Sequence, residues 1–274
     1  MKQILTLLLS VAFLAHLNAQ RGWEVGGWLG VSHYFGDLNT EYRLDRFGGH
    51  GGAGARLNAN SRICLMLSAN YSSVSAYDSD AQNIFERARN LHFRSEVLDA
   101  TLQLEFNFLP YIHGSREEFY TPYMFAGLSV VNFDPEAEYK GEWVSLQTYG
   151  TEGQFFGDEY SRTTGAFTIG GGFKVDLSYE WSLNFNVGSR LLFTDYIDDV
   201  SGAYPDFDEL ENLRGRASVE LSDRSVPGDL FESSIGRTGQ QRGNGKGSDH
   251  FMFFHIGLMY YFGDIRCPPM SRRF

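Results

Sequence analysis

The sequence predicts an all-β transmembrane barrel of about eight antiparallel strands, of the kind found in the outer membrane of Gram-negative bacteria. Three observations predict this fold class: long segments alternate apolar and polar residues, short connections alternate with long ones, and no apolar run is long enough for a spanning helix. A spanning helix needs about 20 apolar residues, whereas a spanning strand needs only about 9 to 11 residues.

The clearest alternation lies in residues 98–108, where Leu, Ala, Leu, Leu, Phe and Phe are separated by Asp, Thr, Gln, Glu and Asn. Because successive side chains of a strand point to opposite faces, one set is expected to face lipid and the other the lumen. The pattern recurs, so that the remaining predicted strands are 23–35, 47–58, 63–76, 121–133, 167–179, 181–193 and 250–262.

The lengths of the connections favour a membrane barrel over a soluble one, which would show the same alternation. If the chain starts on the periplasmic side, the long connections 36–46, 77–91, 134–163 and 197–248 all lie outside the cell. The short connections 59–62, 109–120 and 179–181 then all face the periplasm, as in outer-membrane barrels. The last strand, with Gly257 among spaced aromatic residues, resembles the terminal strand of such barrels.

The chain begins with Lys2, an apolar run over 4–14 and Ala19, which together predict a secretory signal peptide over 1–19. The remaining 20–274 are expected to form a single barrel domain, with a periplasmic tail over 263–274. Aromatic residues near the predicted strand ends are expected to form the interfacial girdles; they are Trp23, Trp28, Tyr71, Tyr123, Tyr179, Trp181, Tyr196, Tyr260 and Tyr261.

The composition restricts the partners. A net charge of −11 disfavours nucleic acid, so the expected surroundings are outer-membrane lipid and lipopolysaccharide. Two cysteines, Cys64 and Cys267, are too few for a disulfide framework, and they either form one bridge or remain thiols.

An eight-stranded barrel is just wide enough for its own side chains to fill it. The charged residues expected inside are therefore interpreted as packed ion pairs rather than as a catalytic or conducting network; they are Asp99, Glu105, Lys174, Asp176 and Arg190. Near the outer end, His33, His92 and His250 match no Ser-His-Asp or metal-ligand spacing. No catalytic residue, cofactor or metal is therefore predicted, and a lipid-modifying enzyme acting at the rim is the minor alternative.

The stretch 194–202 carries three carboxylates after the seventh strand, and more acids follow it. Such oxygen ligands could hold a divalent cation, but the spacing is not that of an EF-hand, and a solvated acidic loop pinned by Tyr196 and Ile197 is favoured. The rest of this connection carries many cations, which could contact lipopolysaccharide or a partner; they are Arg214, Arg216, Arg224, Arg237, Arg242 and Lys246. The alternative is a mobile loop.

Four segments, 22–26, 34–39, 194–201 and 242–244, resemble the PorG-type outer-membrane proteins of Bacteroidota. They read Gly-Trp-Glu-Val-Gly, Tyr-Phe-Gly-Asp-Leu-Asn, Thr-Asp-Tyr-Ile-Asp-Asp-Val-Ser and Arg-Gly-Asn. The third segment is the most specific, and it places a set of family residues in a loop at the barrel rim; they are Thr194, Asp195, Tyr196, Asp198, Asp199 and Ser201.

The resemblance implies a non-enzymatic component of the type IX secretion system that anchors a periplasmic ring of the PorK and PorN type to the outer membrane. The alternative is a stand-alone barrel that supports membrane integrity or binds a ligand through its loops. Partner contact is expected at the turn 111–118, at the turn near Asn60, and at Arg266, Arg272 and Arg273 of the tail.

Overall fold

The computed structural model describes residues 22–41, 43–226, 235–245 and 247–263. The strands in chain order are β1 (Gly22–Phe35), β2 (Gly48–Asn58), β3 (Ile63–Tyr77), β4 (His92–Asn107), β5 (Tyr120–Tyr139), β6 (Glu142–Ser145), β7 (Thr163–Asp176), β8 (Trp181–Leu192) and β9 (His250–Gly263). Eight of them form a closed antiparallel barrel, and β6 pairs only with β5. The barrel closes where β9 pairs with β1, from Gly22 opposite Gly263 to Phe35 opposite His250.

The predicted orientation of the alternating residues is confirmed. On β4, Leu98, Leu102 and Leu104 are more than half exposed, whereas the intervening Asp99 and Glu105 are buried. An apolar outer surface on a closed barrel matches a hydrocarbon surrounding, in which every backbone polar group must be satisfied within the sheet. The protein is therefore a multi-pass β-barrel of the outer membrane, with its long connections on the external side.

Three short helices lie in the long external connections: α1 (Ile84–Arg89), α2 (Phe207–Arg214) and α3 (Arg216–Ser222). Asn83 caps α1 by accepting a hydrogen bond from the Phe85 amide, and Asp206 caps α2 in the same way from the Glu209 amide. Among the described residues, no helix has the length and apolarity that membrane crossing requires.

Several strand boundaries differ from the prediction. β4 begins at His92 rather than at 98, and β7 begins at Thr163 rather than at 167. β7 ends at Asp176 rather than at 179, because the Leu177 amide turns to bond the Trp181 carbonyl at 2.8 Å. β5 continues to Tyr139 and returns as β6 through a turn in which Lys140 and Gly141 have φ of 53° and 87°. Positive φ at both central residues is the geometry of a tight hairpin turn, but Lys is an uncommon residue for it, which is why the sequence does not predict the hairpin.

The prediction of aromatic girdles is correct for the outward residues Trp23, Tyr179 and Trp181. It is wrong for Trp28, Tyr123 and Tyr261, which are buried inside the barrel. The Trp28 indole donates a hydrogen bond to Asn70 Oδ1 at 3.0 Å. Large rings are needed to fill the lumen as well as to line the interface, and position near a strand end does not distinguish the two uses.

The predicted signal peptide and most of the predicted tail, with Arg266, Cys267, Arg272 and Arg273, lie outside the described residues and stay predictions. Cys64 is a free thiol, buried in the lumen beside Asn107 and Lys174.

Candidate functional site

The stretch 194–201, which carries the most specific family motif, closes the outer mouth of the barrel. Ile197 and Val200 are buried in one apolar cluster with Leu38 and with inward-facing residues of the barrel wall such as Val97 and Phe133. The prediction that Ile197 pins this stretch is confirmed. The prediction that the acidic loop is solvated is wrong, because Asp198 and Asp199 lie between the buried Ile197 and Val200 and are buried as well.

The local sequence favours this inward turn. Asp198 Oδ1 accepts a hydrogen bond from the Val200 amide at 2.9 Å, which is the local side-chain turn that Asp makes readily. Asp199 has φ of 66°, a left-handed conformation that Asp tolerates better than most residues. The chain can therefore reverse direction inside the mouth while both acids keep partners.

One hydroxyl joins two buried carboxyls beneath this turn. Tyr34 Oη lies 2.6 Å from Asp198 Oδ2 and 3.0 Å from Asp249 Oδ1. The hydroxyl has a single hydrogen, so it can donate to only one of them, and the other carboxyl must carry its own proton to bond the same oxygen. Burial raises the pKa of both Asp198 and Asp249 well above the usual range, and the nearby carboxylates raise it further.

Asp199 lies on the opposite side of the turn, in a network that contains a cation. Its carboxylate accepts hydrogen bonds from Thr151 and from Tyr160, the latter at 2.7 Å, and lies 3.4 Å from Arg242 Nη2. Arg242 Nη1 also pairs with Glu152 at 3.0 Å. Burial raises the pKa of Asp199 to about 6 despite the opposing effect of Arg242. These contacts fasten the connection before β7 to the connection before β9.

The remaining motif residues also make internal contacts. The Ser201 amide donates to Glu152 Oε1 at 2.9 Å, and the Tyr196 ring stacks on Tyr160 with 4.6 Å between centroids. The Thr194 carbonyl accepts from the Asp249 amide at 3.2 Å. The Asp195 carboxylate has a side-chain hydrogen bond with Ser201, while its Oδ2 is shielded from solvent and has no hydrogen-bond partner among the described residues.

Arg89 of α1 ties a further connection to the mouth. Its guanidinium pairs with Asp78 at 2.7 Å and donates to the backbone carbonyl of Asp37 at 2.9 Å. The Asp37 side chain in turn accepts a hydrogen bond from the Asn244 amide at 2.9 Å. No sequence motif indicates the roles of Arg89 and Glu152, although Asp37 and Arg242 lie in segments of the family resemblance.

The arginine-rich part of the last external connection is largely occupied within the protein. Arg214 pairs with Glu159 at 2.7 Å, Arg216 pairs with Glu220 at 2.8 Å, and Arg224 contacts His92. The interpretation of this connection as a mobile loop is wrong for 207–222, because α2 and α3 are folded there.

A periplasmic turn closes the opposite mouth. His113 enters the barrel, where its imidazole lies 3.2 Å from Glu24 and 3.0 Å from Asp176, and Tyr111 bonds the same Asp176. Burial lowers the pKa of His113, but the two carboxylates outweigh it and raise the pKa to about 9, so this side chain is a cation at neutral pH. The turn 111–118, predicted as a partner surface, therefore presents only part of its residues to the periplasm.

The lumen between the two mouths is filled by ion pairs, as predicted. Arg56 pairs with Glu24 at 2.7 Å and with Glu105 at 2.9 Å, while Lys174 pairs with Glu105 at 2.6 Å. A second pair joins Arg190 and Asp99 at 2.9 Å; the cavity beside Arg190 is only about 20 Å³, room for a single water.

We expect the purified protein to be silent in planar lipid bilayers, because ion pairs fill the lumen and residues of 194–201 and 111–118 are packed into its two mouths. The measurement is single-channel recording at neutral pH, with a general porin in the same membrane as the positive control. Stepwise conductance of porin size would contradict the closed barrel.

Two of the histidines at the outer rim, His33 and His92, are bonded to other groups of the protein. His33 contacts the backbone carbonyls of Arg43 and Arg46, and His92 contacts Arg224 and the Glu138 amide. Among the described residues, no group of three or more His, Cys, Asp or Glu side chains is placed to hold a metal ion.

The family model described as a domain of unknown function, DUF6089, matches residues 2–226, which is more than half of the chain. The chain belongs to the DUF6089 family. No curated protein matches this DUF6089 member.

Several solved barrels are similar to the DUF6089 chain. Neisserial surface protein A is 8% identical, with 88% of this chain and 97% of that chain covered and a TM-score of 0.43. OprG from Pseudomonas aeruginosa is 12% identical, with 90% of this chain and 97% of that chain covered and a TM-score of 0.42. A major outer membrane protein from Thermus thermophilus is 15% identical, with 88% of this chain and 99% of that chain covered and a TM-score of 0.39.

Proposed function

We propose that this protein is a non-enzymatic component of a type IX protein secretion machinery, similar to PorG, and that it anchors a periplasmic ring of the PorK and PorN type to the outer membrane. The proposal combines the family resemblance of the sequence with the architecture of a filled barrel. A barrel whose lumen is filled by paired side chains is suited to anchoring other proteins rather than to transport through its own lumen.

The observation that carries the proposal is the meeting of three separate resembling segments in one contact network. Tyr34 of the segment 34–39 bonds Asp198 of 194–201, and Asp37 of 34–39 accepts a hydrogen bond from Asn244 of 242–244. These segments are distant in sequence, but all three contribute contacts that close the same mouth of the barrel. This supports a shared architecture with the PorG-type proteins, from which the secretion role is inferred.

The periplasmic side offers the surface on which a ring would dock. The short turns after β2, β4 and β7 lie there, together with both ends of the described barrel. Within the turn 111–118, Arg116 and Glu117 are exposed. We propose that these turns and the tail residues Arg266, Arg272 and Arg273 contact the ring, with the tail arginines facing an acidic surface.

The test is affinity purification of the tagged protein from solubilised outer membranes of the native bacterium. We expect PorK-type and PorN-type ring proteins to co-purify, and we expect deletion of the gene to stop secretion of type IX cargo. A variant lacking 266–274 should still form the barrel, because β9 is retained, but should recover less of the ring. Normal secretion in the gene-deletion strain, with no ring protein recovered, would refute the proposal.

A second candidate function is ligand binding at the external mouth, as in a stand-alone barrel. One observation favours it: a cavity of about 230 Å³ opens at the outer rim and is lined in part by Asp195 of the family motif. This candidate predicts normal secretion in the gene-deletion strain, so the experiment above distinguishes the two functions.

A further inference from the structure

An open groove lies at the periplasmic end of the barrel, between the turn 111–118 and the turn that joins β7 to β8. Its volume is about 570 Å³, within the range of about 300 to 1,000 Å³ that is typical of ligand sites. The Asp176 amide donates a hydrogen bond to the Phe119 carbonyl at 2.8 Å, which holds the two turns side by side. Each turn therefore supplies one wall of the groove, and the walls include Ser115, Arg116, Leu177, Ser178 and Tyr179.

The groove borders the lipid-facing surface of the barrel. Leu177 and Tyr179 are both more than half exposed, and they continue the outward alternation of β7 beyond Phe173. Phe173 stacks on Tyr120 of β5, with 5.8 Å between the ring centroids. Aromatic girdles of outer-membrane barrels lie where the hydrocarbon meets the headgroups. A molecule in the groove would therefore lie at the depth of the phospholipid headgroups of the periplasmic leaflet.

Arg116 supplies an unpaired positive charge. It is exposed, and its side chain makes no hydrogen bond or ion pair with any residue in the described ranges. The exposed Arg62 of the turn after β2 is different, because it donates a hydrogen bond to the Phe108 carbonyl at 2.7 Å. A guanidinium presents a planar fork of donors that matches a phosphate group in bidentate geometry. The groove therefore contains a phosphate-binding group that the protein itself does not use.

Two serine hydroxyls of the groove also keep a free donor. Ser115 Oγ accepts a hydrogen bond from the Glu118 amide at 3.1 Å, and Ser178 Oγ accepts one from the Trp181 amide at 3.2 Å. These bonds use lone pairs of the oxygens, so the hydrogen of each hydroxyl is still available. Within the part of the chain that the structure describes, neither hydroxyl has an acceptor. Together with Arg116, the two serines form a set of donors suited to the oxygens of a phosphate.

One carboxylate lines the groove, but its charge is matched from inside the barrel. Asp176 lies 3.0 Å from the His113 imidazole, which is a cation at neutral pH. The same carboxylate accepts hydrogen bonds from the Tyr111 hydroxyl and from the Gly114 amide, the latter at 3.3 Å. A phosphate in the groove would therefore meet a paired acid rather than a free one.

Two exposed acids lie at the edges of the groove. Glu117 directly follows Arg116, and Glu180 directly follows Tyr179. Neither carboxylate has a hydrogen-bond or ion-pair partner among the described residues. A central cation with free acids on both sides is complementary to a zwitterionic headgroup, in which a phosphate is joined to an ammonium. An anionic headgroup would bring no positive charge to these acids.

We propose that this groove binds the phosphoethanolamine headgroup of a phospholipid of the periplasmic leaflet. The phosphate is held by Arg116 and the two serine hydroxyls, and the ammonium faces Glu117 and Glu180. The lipid occupies the side of the turn 111–118 that faces the membrane, whereas a periplasmic ring would meet the side that faces away from it. The site does not rest on the type IX role, because lipid binding is a property of the barrel alone, so failure of either proposal would leave the other standing.

The test is native mass spectrometry of the purified barrel in detergent, with equimolar dioleoyl-phosphatidylethanolamine and dioleoyl-phosphatidylglycerol competing for the protein. The acyl chains are identical, so only the headgroup can cause a preference. We expect the ethanolamine lipid to be retained at least about tenfold more strongly, the equivalent of one hydrogen bond to a charged group. Dioleoyl-phosphatidylcholine should also be retained less, because its quaternary ammonium has no N–H donor. These comparisons use the wild-type protein and do not depend on any variant folding.

Substitutions identify the residues. Arg116→Gln should reduce retention of the ethanolamine lipid at least about tenfold, by loss of the charge-assisted bonds to phosphate. The matched control is Arg62→Gln, which removes an exposed arginine from another periplasmic turn and should leave retention unchanged. The double variant Glu117→Gln and Glu180→Gln should retain the ethanolamine and glycerol lipids about equally, because it removes both partners of the ammonium.

Four outcomes would overturn the proposal. The first is equal retention of the competing lipids by the wild type, or a preference for the glycerol lipid. The second is unchanged retention in Arg116→Gln, and the third is an equal loss in Arg62→Gln, which would indicate a general effect of charge. The fourth is displacement of the lipid by an equimolar amount of soluble phosphoethanolamine, which would mean that the ligand is a free phosphate ester and not a membrane lipid.

Discussion

Arg56→Met is expected to destabilise the barrel by about 3 to 5 kcal/mol, the cost of breaking a buried ion pair by removing one partner. Arg56 is 1% exposed and pairs with both Glu24 and Glu105, so its loss leaves two buried carboxylates short of a cation. The measurement is a reversible urea or guanidinium unfolding titration in lipid vesicles.

The control for this variant is Arg216→Met, which breaks a pair between two solvent-exposed side chains and is expected to cost at most about 1 kcal/mol. Adding Glu24→Gln to Arg56→Met should recover part of the lost stability, because it removes the charge of a buried carboxylate that has lost its arginine and keeps only His113 as a cationic partner among the described residues. If the double variant were no more stable than Arg56→Met, the loss would come from packing of the long side chain rather than from charge.

Leu102→Arg is the second variant with a large expected effect. Leu102 lies on the lipid-facing side of β4, opposite Leu67 of β3 and Leu128 of β5, all of them more than half exposed. It lies five residues from the periplasmic end of β4, near the middle of a span of about 9 to 11 residues. An arginine there should cost about 2 to 4 kcal/mol in vesicle refolding.

The neighbouring residue provides the comparison. The Gln103 side chain faces the lumen and donates a hydrogen bond to Glu105 Oε1 at 3.0 Å, so Gln103→Arg would place a guanidinium beside a carboxylate. We expect a smaller loss of stability for Gln103→Arg than for Leu102→Arg. The reverse order would mean that the assignment of the two faces is wrong.

The barrel strands could be predicted because the membrane imposes a local rule. On β4, each residue faces either lipid or the lumen, so apolar residues such as Leu98 alternate with polar residues such as Asp99 along the sequence. Alternation alone does not show where a strand ends. The part of β5 beyond 133 still alternates, as Phe-Asp-Pro-Glu-Ala-Glu-Tyr over 133–139, but Pro135 disfavours a strand and β6 has only four residues, so the sequence does not predict the hairpin.

The outer mouth could be predicted only in part. The motif residues are recognisable as a rim loop, but the burial of Asp198 depends on Tyr34, and the role of Asp199 depends on Arg242. Such partners are set by the closed barrel and not by local sequence. The periplasmic turn shows the same limitation, since nothing near His113 in sequence indicates that Glu24 and Asp176 would hold it inside.

The bond from Tyr34 to the outer mouth has a consequence for the order of assembly. Its two partners are 164 and 215 residues away in sequence, and one of them, Asp249, directly precedes the strand that closes the barrel. Contacts of such long range form only after the intervening chain has been organised. The contacts of Tyr34 that close the outer mouth therefore cannot form until the last strand has paired with the first. Resistance of the external connections to protease added to living cells would then report whether insertion has been completed.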